Sequence, residues 1–331
     1  AIAKGVILLH SLNGKESARL SVMTTRANLW QQSSLALLTS LLFAGSFVAG
    51  KYTTGEMGPL LITLLRYAIA AVFLQLLVWY QGDIGPRIGS ASLADKVCLF
   101  LLGTFGVVGY HFFFFSSLRY TAVANSAIIN AFNPVVTGFL AAVILKETLA
   151  VRNYVGGAIA ILGVLVLLTS GNLISLLRLQ FNLGDLLMLC AVFCWAGYSI
   201  LLRHLGKRYS GLAMSYYGAL FGVVQLLFLV IPELLRVGFP TLSPASILGV
   251  FYMGVGASGI GYLLFTLSTQ RIGPTKSTSI VYSGVPVWVA LLAWLFFSEP
   301  VTPWMLVSMG LILLGLRTVL APAHTTKGSN A

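Results

Sequence analysis

The chain has 331 residues, of which 58% are hydrophobic and only 8% charged, and its net charge is +12. A soluble domain carries about 25% charged residues, so the composition excludes a globular protein with water as its main solvent. The basic residues are scattered singly between apolar runs and form no patch, which argues against nucleic acid as a partner.

Residues 1–22 are set aside, because Met23 opens a polar segment that reads as an ordinary N-terminus. Val6–Leu9 is too brief for a signal-peptide core. A membrane-crossing helix takes roughly 20 apolar residues. Ten such runs follow, at 33–51, 59–80, 97–118, 121–145, 153–170, 183–203, 212–232, 246–269, 276–298 and 302–320. The expected fold is an all-α polytopic membrane protein of ten transmembrane helices. A tail (1–32) precedes two five-helix units (33–172 and 173–320), and a second tail (321–331) follows. Cys98, Cys190 and Cys194 all fall in apolar runs, as packing residues rather than a disulfide framework.

The second unit repeats the first, 152 residues later. Gly109-Tyr110 recurs as Gly261-Tyr262, Ser116 as Ser268, Arg119 as Arg271, Pro134-Val135 as Pro286-Val287, and Glu147 as Glu299. With five helices per unit, the copies lie upside down relative to each other. Inverted repeats across a bilayer are the usual construction of a carrier that opens alternately to each side.

Basic residues orient the chain. With the N-terminus inside, only Lys51, Arg119, Arg178 and Arg236 of the 20 Lys and Arg fall outside, and Arg66 lies within a span. The other 15 fall inside, so both termini are expected in the cytoplasm, with a bacterial inner membrane as the setting.

These features resemble the drug/metabolite transporter superfamily, in particular its EamA-type ten-helix exporters. The resemblance rests on several runs. One is Ala124-Asn125-Ser126 through Pro134 to Leu145-Lys146-Glu147, with its copy Ser277-Thr278-Ser279 through Pro286 to Ser298-Glu299. Others are Arg66, Gly184-Asp185-Leu186 and Trp195-Ala196-Gly197-Tyr198. It covers about 290 residues, nearly everything after Gln32. The resemblance implies export or exchange of amino acids, metabolites or toxic solutes, and relatives that move nucleotide sugars and sugar phosphates stay open as an alternative.

The candidate site follows from helix chemistry. A proline in a helix removes the bond to the carbonyl four residues back, so Pro134 releases the carbonyl of Asn130 and Pro286 that of Tyr282. These two helix-kink prolines are repeat equivalents. Ser126, Asn130 and Asn133 share one face of the fourth helix, and Ser279, Ser283 and Pro286 one face of the ninth. We therefore expect the two helices to face each other across a polar cavity, or else to be kinked rods whose polar groups bond between packed helices. Arg66 reads either as an anion clamp for a carboxylate or phosphate or as a side chain that snorkels to the interface. Tyr110, Trp195, Tyr198, Tyr216, Tyr217 and Tyr262 lie deep enough to line a cavity for an amphipathic organic solute. His111 reads as a hydrogen-bonded helix contact, Lys276 as an interfacial anchor, and Asp185 as the cap of the sixth helix.

Glycines at 103, 106 and 109, and at 254, 256, 259 and 261, permit bending and close approach. A small-residue seam on the fifth helix (Gly156, Gly157, Ala160, Gly163) leaves a homodimer and intramolecular packing both open. No acidic residue sits in mid-span, which points to facilitated efflux or exchange rather than ion coupling, with His111, which could titrate near neutral pH, as the exception. The four histidines are far apart in sequence, with no metal-ligand or nucleophile motif. The expected partners are a small-molecule solute and the lipid bilayer, with no cofactor and no metal. An intramembrane enzyme and a channel are the competing classes.

Overall fold

The computed structural model describes residues 14–81, 88–145, 151–172, 182–265, 268 and 274–320. Among them there is no strand, and the helices form ten rods in chain order. These are α1 (Gly14–Thr53), α2 (Pro59–Gln81), α3 (Leu93–Tyr120), α4, α5 (Val151–Thr169), α6 (Leu183–Leu205), α7 (Gly211–Val237), α8 (Pro244–Phe265), α9 (Pro274–Phe297) and α10 (Pro303–Leu320). The fourth is in two pieces, α4a (Val123–Asn130) and α4b (Asn133–Leu145). Eight rods contain a stretch long and apolar enough to cross a membrane, while the apolar parts of α5 and α10 are shorter, Tyr154–Leu167 and Pro303–Thr318. The fold is that of an all-helical polytopic membrane protein. Its outer surface is apolar, with Val143, Phe228 and Leu235 exposed, which only a lipid solvent makes inexpensive.

The sequence sets the helix starts. Pro59, Pro244, Pro274 and Pro303 each stand first in their helices, where a missing N–H costs nothing. Ser92, Ser210 and Ser243 cap α3, α7 and α8, their hydroxyls accepting from the N–H groups of Asp95, Ala213 and Ser246 at 3.1, 3.1 and 3.2 Å. The sixth helix corrects an expectation. Its cap is Asn182, which accepts from the Gly184 N–H at 2.7 Å. Asp185 is buried in the first turn, where its carboxylate accepts from the Thr121 hydroxyl at 2.6 Å and ties α6 to the end of α3. The basic residues Lys51 and Arg119 serve the same corner. Lys51 donates to the carbonyls of Leu118 and Thr121, and Arg119 to those of Thr54 and Met57.

Two helices loosen at matching places. α3 widens into a π-helix over Gly103–Gly109, and α8 does the same over Tyr252–Gly261. π-Turns leave backbone groups poorly bonded and concentrate at functional sites. Both stretches are glycine-rich because neighbours approach the backbone closely. A Cβ on Gly103 would lie 2.6 Å from the Gly222 nitrogen.

Helix packing follows the internal symmetry. The equivalent pairs α2–α7 and α5–α10 pack against each other. α1 packs on α8 and α9 of the other repeat, and its equivalent α6 packs on α3 and α4. Each repeat thus lends its first helix to the other. The small-residue seam of α5 is used inside the chain. A Cβ on Gly315 would lie 2.5 Å from the Gly156 carbonyl oxygen, and Ser308 donates to the Gly163 carbonyl at 2.7 Å.

Candidate functional site

The repeat interface forms a half-open cavity with about 460 Å³ of non-atom space, open solvent included. The first repeat contributes Phe43, Ser46, Phe47, Arg66, Tyr110, His111, Phe114 and Asn130, and the second Trp195, Tyr262, Tyr282 and Val285. A smaller chamber of about 300 Å³ adjoins it across Tyr262, with Tyr67, Gly106, Tyr198, Gly218 and Ser258 in its wall.

Arg66 decides the electrostatics. It is 4% exposed, so it does not snorkel to the interface. Its Nε–H donates to the Ser258 hydroxyl on α8 at 2.7 Å, and its guanidinium carbon lies 5.8 Å from the Tyr67 ring centroid. No carboxylate among the described residues lines either cavity. A buried cation without a counter-ion is costly.

The polar wall comes from the broken fourth helix. α4a stops at Asn130 because Pro134 has no N–H to continue the ladder and its ring crowds the preceding turn. The Asn130 side-chain oxygen accepts from Tyr110 at 3.3 Å and from Asn133. α9 carries Pro286 within an unbroken helix and presents Tyr282 to the same cavity. His111 is held by contacts from Nδ1 to the carbonyls of Gly106 and Val107, both at 3.1 Å. Two carbonyls facing Nδ1 require the proton there, which leaves Nε2 toward the Tyr67 hydroxyl at 3.5 Å.

Aromatic rings fill the rest. Tyr110 and Trp195 have centroids 4.9 Å apart, Phe43 and Tyr262 5.5 Å, and Trp195 and Tyr198 5.1 Å. Of the four consecutive phenylalanines only Phe114 reaches the cavity; Phe115 is buried elsewhere and Phe112 faces outward.

The structure thus gathers Arg66, Tyr110, Asn130, Trp195, Tyr262 and Tyr282 around one space. Tyr198 lines the adjoining chamber, and Asn133 stands behind Asn130. Ser283 borders neither cavity, nor do Tyr216 and Tyr217, which pack with Gln75 and Tyr209. The side chains of Lys276, Thr278, Ser279 and Glu147 lie outside the described residues. Sequence reasoning did not single out Phe43, Ser46, Phe47, Tyr67 or Ser258. The repeat held the missing signal for two of them, because Phe43 is the equivalent of Trp195 and Ser46 that of Tyr198.

The repeats are tied at both faces. At one, Arg208 Nη1 donates to Asp95 Oδ2 at 2.9 Å, with Nη2 2.7 Å from Oδ1. At the other, Glu56 accepts from the Ser243 N–H at 2.8 Å. There too, Glu299 accepts from the N–H groups of Val123 and Ala124 at 3.1 and 3.4 Å, at the start of α4a. The Ser243 hydroxyl, then its N–H, hold the Glu56 carboxyl below its ordinary pKa.

Comparison with known proteins agrees with this architecture. A family model described as the EamA-like transporter family matches residues 32–169 and again 182–321. The chain is 29% identical over 304 residues to the uncharacterized transporter YyaM of Bacillus subtilis, covering 90% of this chain and 97% of the relative. It is 26% identical to a probable terminal-alkyne amino-acid exporter of Streptantibioticus cattleyicolor, covering 86% and 91%. It is 24% identical to an S-adenosylmethionine/S-adenosylhomocysteine transporter of Chlamydia trachomatis, covering 86% and 88%. One solved crystal structure superposes with a TM-score of 0.60 at 20% identity, covering 87% of this chain and 97% of its own.

Proposed function

We propose that this chain, which belongs to the EamA-like transporter family, moves a small organic solute bearing a carboxylate, by alternating access, as an exporter or exchanger. The family is one of transporters, not enzymes. The observation that carries the finer reading is Arg66: a buried guanidinium without a carboxylate partner among the described residues, on the wall of a cavity to which both repeats contribute. A carboxylate delivered by the solute supplies the missing counter-charge, and the aromatic walls suit an apolar body. The solutes named for two relatives, an amino acid and S-adenosylmethionine, both carry a carboxylate.

Alternating access draws support from the inter-repeat ties. A carrier must release the solute to one side while the other is shut. Polar ties of a few residues at each face suit that cycle, since each can break without unpacking a core. The orientation proposed is the one that basic residues favour, with both termini cytoplasmic in a bacterial inner membrane.

Counterflow in proteoliposomes tests the reading, with matched acidic, neutral and cationic solutes. Saturable uptake of an acidic solute, trans-stimulated by the same solute and lost in Arg66→Ala, is the expected outcome. Unsaturable flux indicates a pore, and unchanged uptake of the acidic solute by Arg66→Ala removes the clamp.

A further inference from the structure

A base stands beside the Arg66 cation, and solute binding alone gives it no role. His111 is 2% exposed and lines the same cavity. Its Nδ1–H is committed to the Gly106 and Val107 carbonyls, so Nε2 carries the free lone pair. The Tyr67 hydroxyl faces Nε2 at 3.5 Å, too far for a strong hydrogen bond. Tyr67 in turn lines the smaller chamber, where the hydroxyls of Ser258 and Tyr262 accompany its own. Hydroxyls thus lead from one chamber to the base in the other.

Arg66 and His111 both lie against the Tyr67 ring, with 5.8 Å from the guanidinium carbon to its centroid and 4.9 Å between the two ring centroids. The other titratable groups nearby are Tyr110 on α3, Cys194 and Tyr198 on α6, Tyr262 on α8 and Tyr282 on α9. α1, α4 and α7 bring the neutral Ser46, Asn130 and Ser215. Among the described residues, Arg66 is the only permanent charge in either wall. The internal repeat sets the three residues apart. The cations Lys51 and Arg119 keep their charge in the second copy, as Arg203 and Arg271, whereas Arg66, Tyr67 and His111 correspond to Gly218, Ala219 and Leu263. A role in the shared fold calls for both copies; these residues serve one cavity.

Guanidinium and imidazolium repel each other in one cavity, and a carboxylate on Arg66 removes that repulsion. Carboxylate and proton therefore favour each other's binding, by equal factors. We propose that His111 Nε2 carries a proton together with each carboxylate solute, which makes the carrier proton-coupled. The Tyr67 hydroxyl gives its proton to Nε2 and takes one from water in the smaller chamber; the reverse transfer returns the proton to water after the solute leaves. The proposal rests on the Arg66 reading above and adds its driving force.

The test uses proteoliposomes with a pH-sensitive dye inside, and phenylalanine and S-adenosylmethionine as the carboxylate probes. Uptake should acidify the lumen by about one proton per solute. With the membrane potential clamped, an alkaline lumen should concentrate the solute up to about tenfold per pH unit. The half-saturating concentration should fall about tenfold between about pH 8 and about pH 6. His111→Gln should lose the proton from this ratio and flatten the pH profile, whatever rate it retains, and Tyr67→Phe should slow acidification more than exchange. Monodisperse elution from detergent checks each fold. Wild-type uptake without acidification, at a pH-independent half-saturating concentration, overturns the coupling and leaves the Arg66 reading standing. Coupling that survives in His111→Gln overturns His111 as the carrier. Transport of neither probe overturns the acid pole on which the coupling rests.

Discussion

The Asp95–Arg208 tie makes the most direct prediction about mechanism. Replacing Asp95 with Asn keeps the shape and removes the charge. At about 4 Å and an effective dielectric of about 20, a bare pair of charges attracts by about 4 kcal/mol. Here the Asp95 side chain is 7% exposed but that of Arg208 is 47% exposed, so solvent screens much of this attraction. A net of about 1 kcal/mol is the fitting magnitude for a pair open to water on one side, or about fivefold in an equilibrium. If this tie holds the α2–α3 end of one repeat to the α6–α7 end of the other, Asp95→Asn should populate the state open at that face about fivefold more. The assay replaces Ser46 in the cavity by cysteine in a protein without its native thiols, and measures labelling by an impermeant maleimide from each side of the membrane. Labelling should accelerate from the Asp95 side and slow from the other. The exchange Asp95→Arg with Arg208→Asp should restore both rates. Unchanged rates from both sides, in a variant that still transports, refute the tie as a gate.

Further outcomes follow from other contacts. Glu56 has a depressed pKa, so its contact with Ser243 is fully present above the ordinary value of 4.5 and is lost as pH falls through the folded value. The melting temperature of the detergent-solubilised protein should therefore drop on acidification below pH 4.5, and Glu56→Gln should remove part of that drop. Gly315→Val places its Cβ 2.5 Å from the Gly156 carbonyl oxygen. Backbone cannot yield as a side chain can, so the seam between α5 and α10 should loosen by about 1–3 kcal/mol, read as a lower unfolding midpoint.

The architecture was readable because lipid imposes a simple rule. Each span must satisfy its backbone internally and cover it with apolar side chains, which marks most ends of the ten rods to within about five residues, although the first helix extends back to Gly14. Proline starts and serine caps mark the boundaries for equally local reasons. What depended on tertiary contacts was less visible. The break after Asn130 needs Pro134 together with the cavity beside it, since Pro286 in α9 leaves that helix continuous. Asp185 had the sequence context of a cap, but its role depends on Thr121, 64 positions away. Ser258 is an unremarkable serine in a glycine-rich run until Arg66 is seen to donate to it across 192 positions.

Departures from the internal symmetry then give the scaffold its polarity. A perfect dyad would repeat the Arg66–Ser258 pair on the opposite wall, at positions 218 and 106. Both are glycine. Their missing side chains border the smaller chamber, where Tyr198 stands at the position equivalent to Ser46. One repeat therefore supplies a charged pole and its equivalent supplies space, so a solute with an acid at one end and an apolar body at the other meets two different walls. Two substitutions separate space from stability. A Cβ at Gly106 would collide with the Tyr198 ring, whereas one at Gly218 would meet only the Leu102 Cβ at 3.6 Å, an ordinary contact. Gly218→Ala should thus cost little stability and Gly106→Ala about 1–3 kcal/mol. Gly218→Leu, which fills the chamber, should lower counterflow of bulky solutes such as phenylalanine more than that of alanine. If Gly218→Leu carries both solutes at the parental rate, the chamber is a packing void, and the asymmetry between the repeats has no part in recognition.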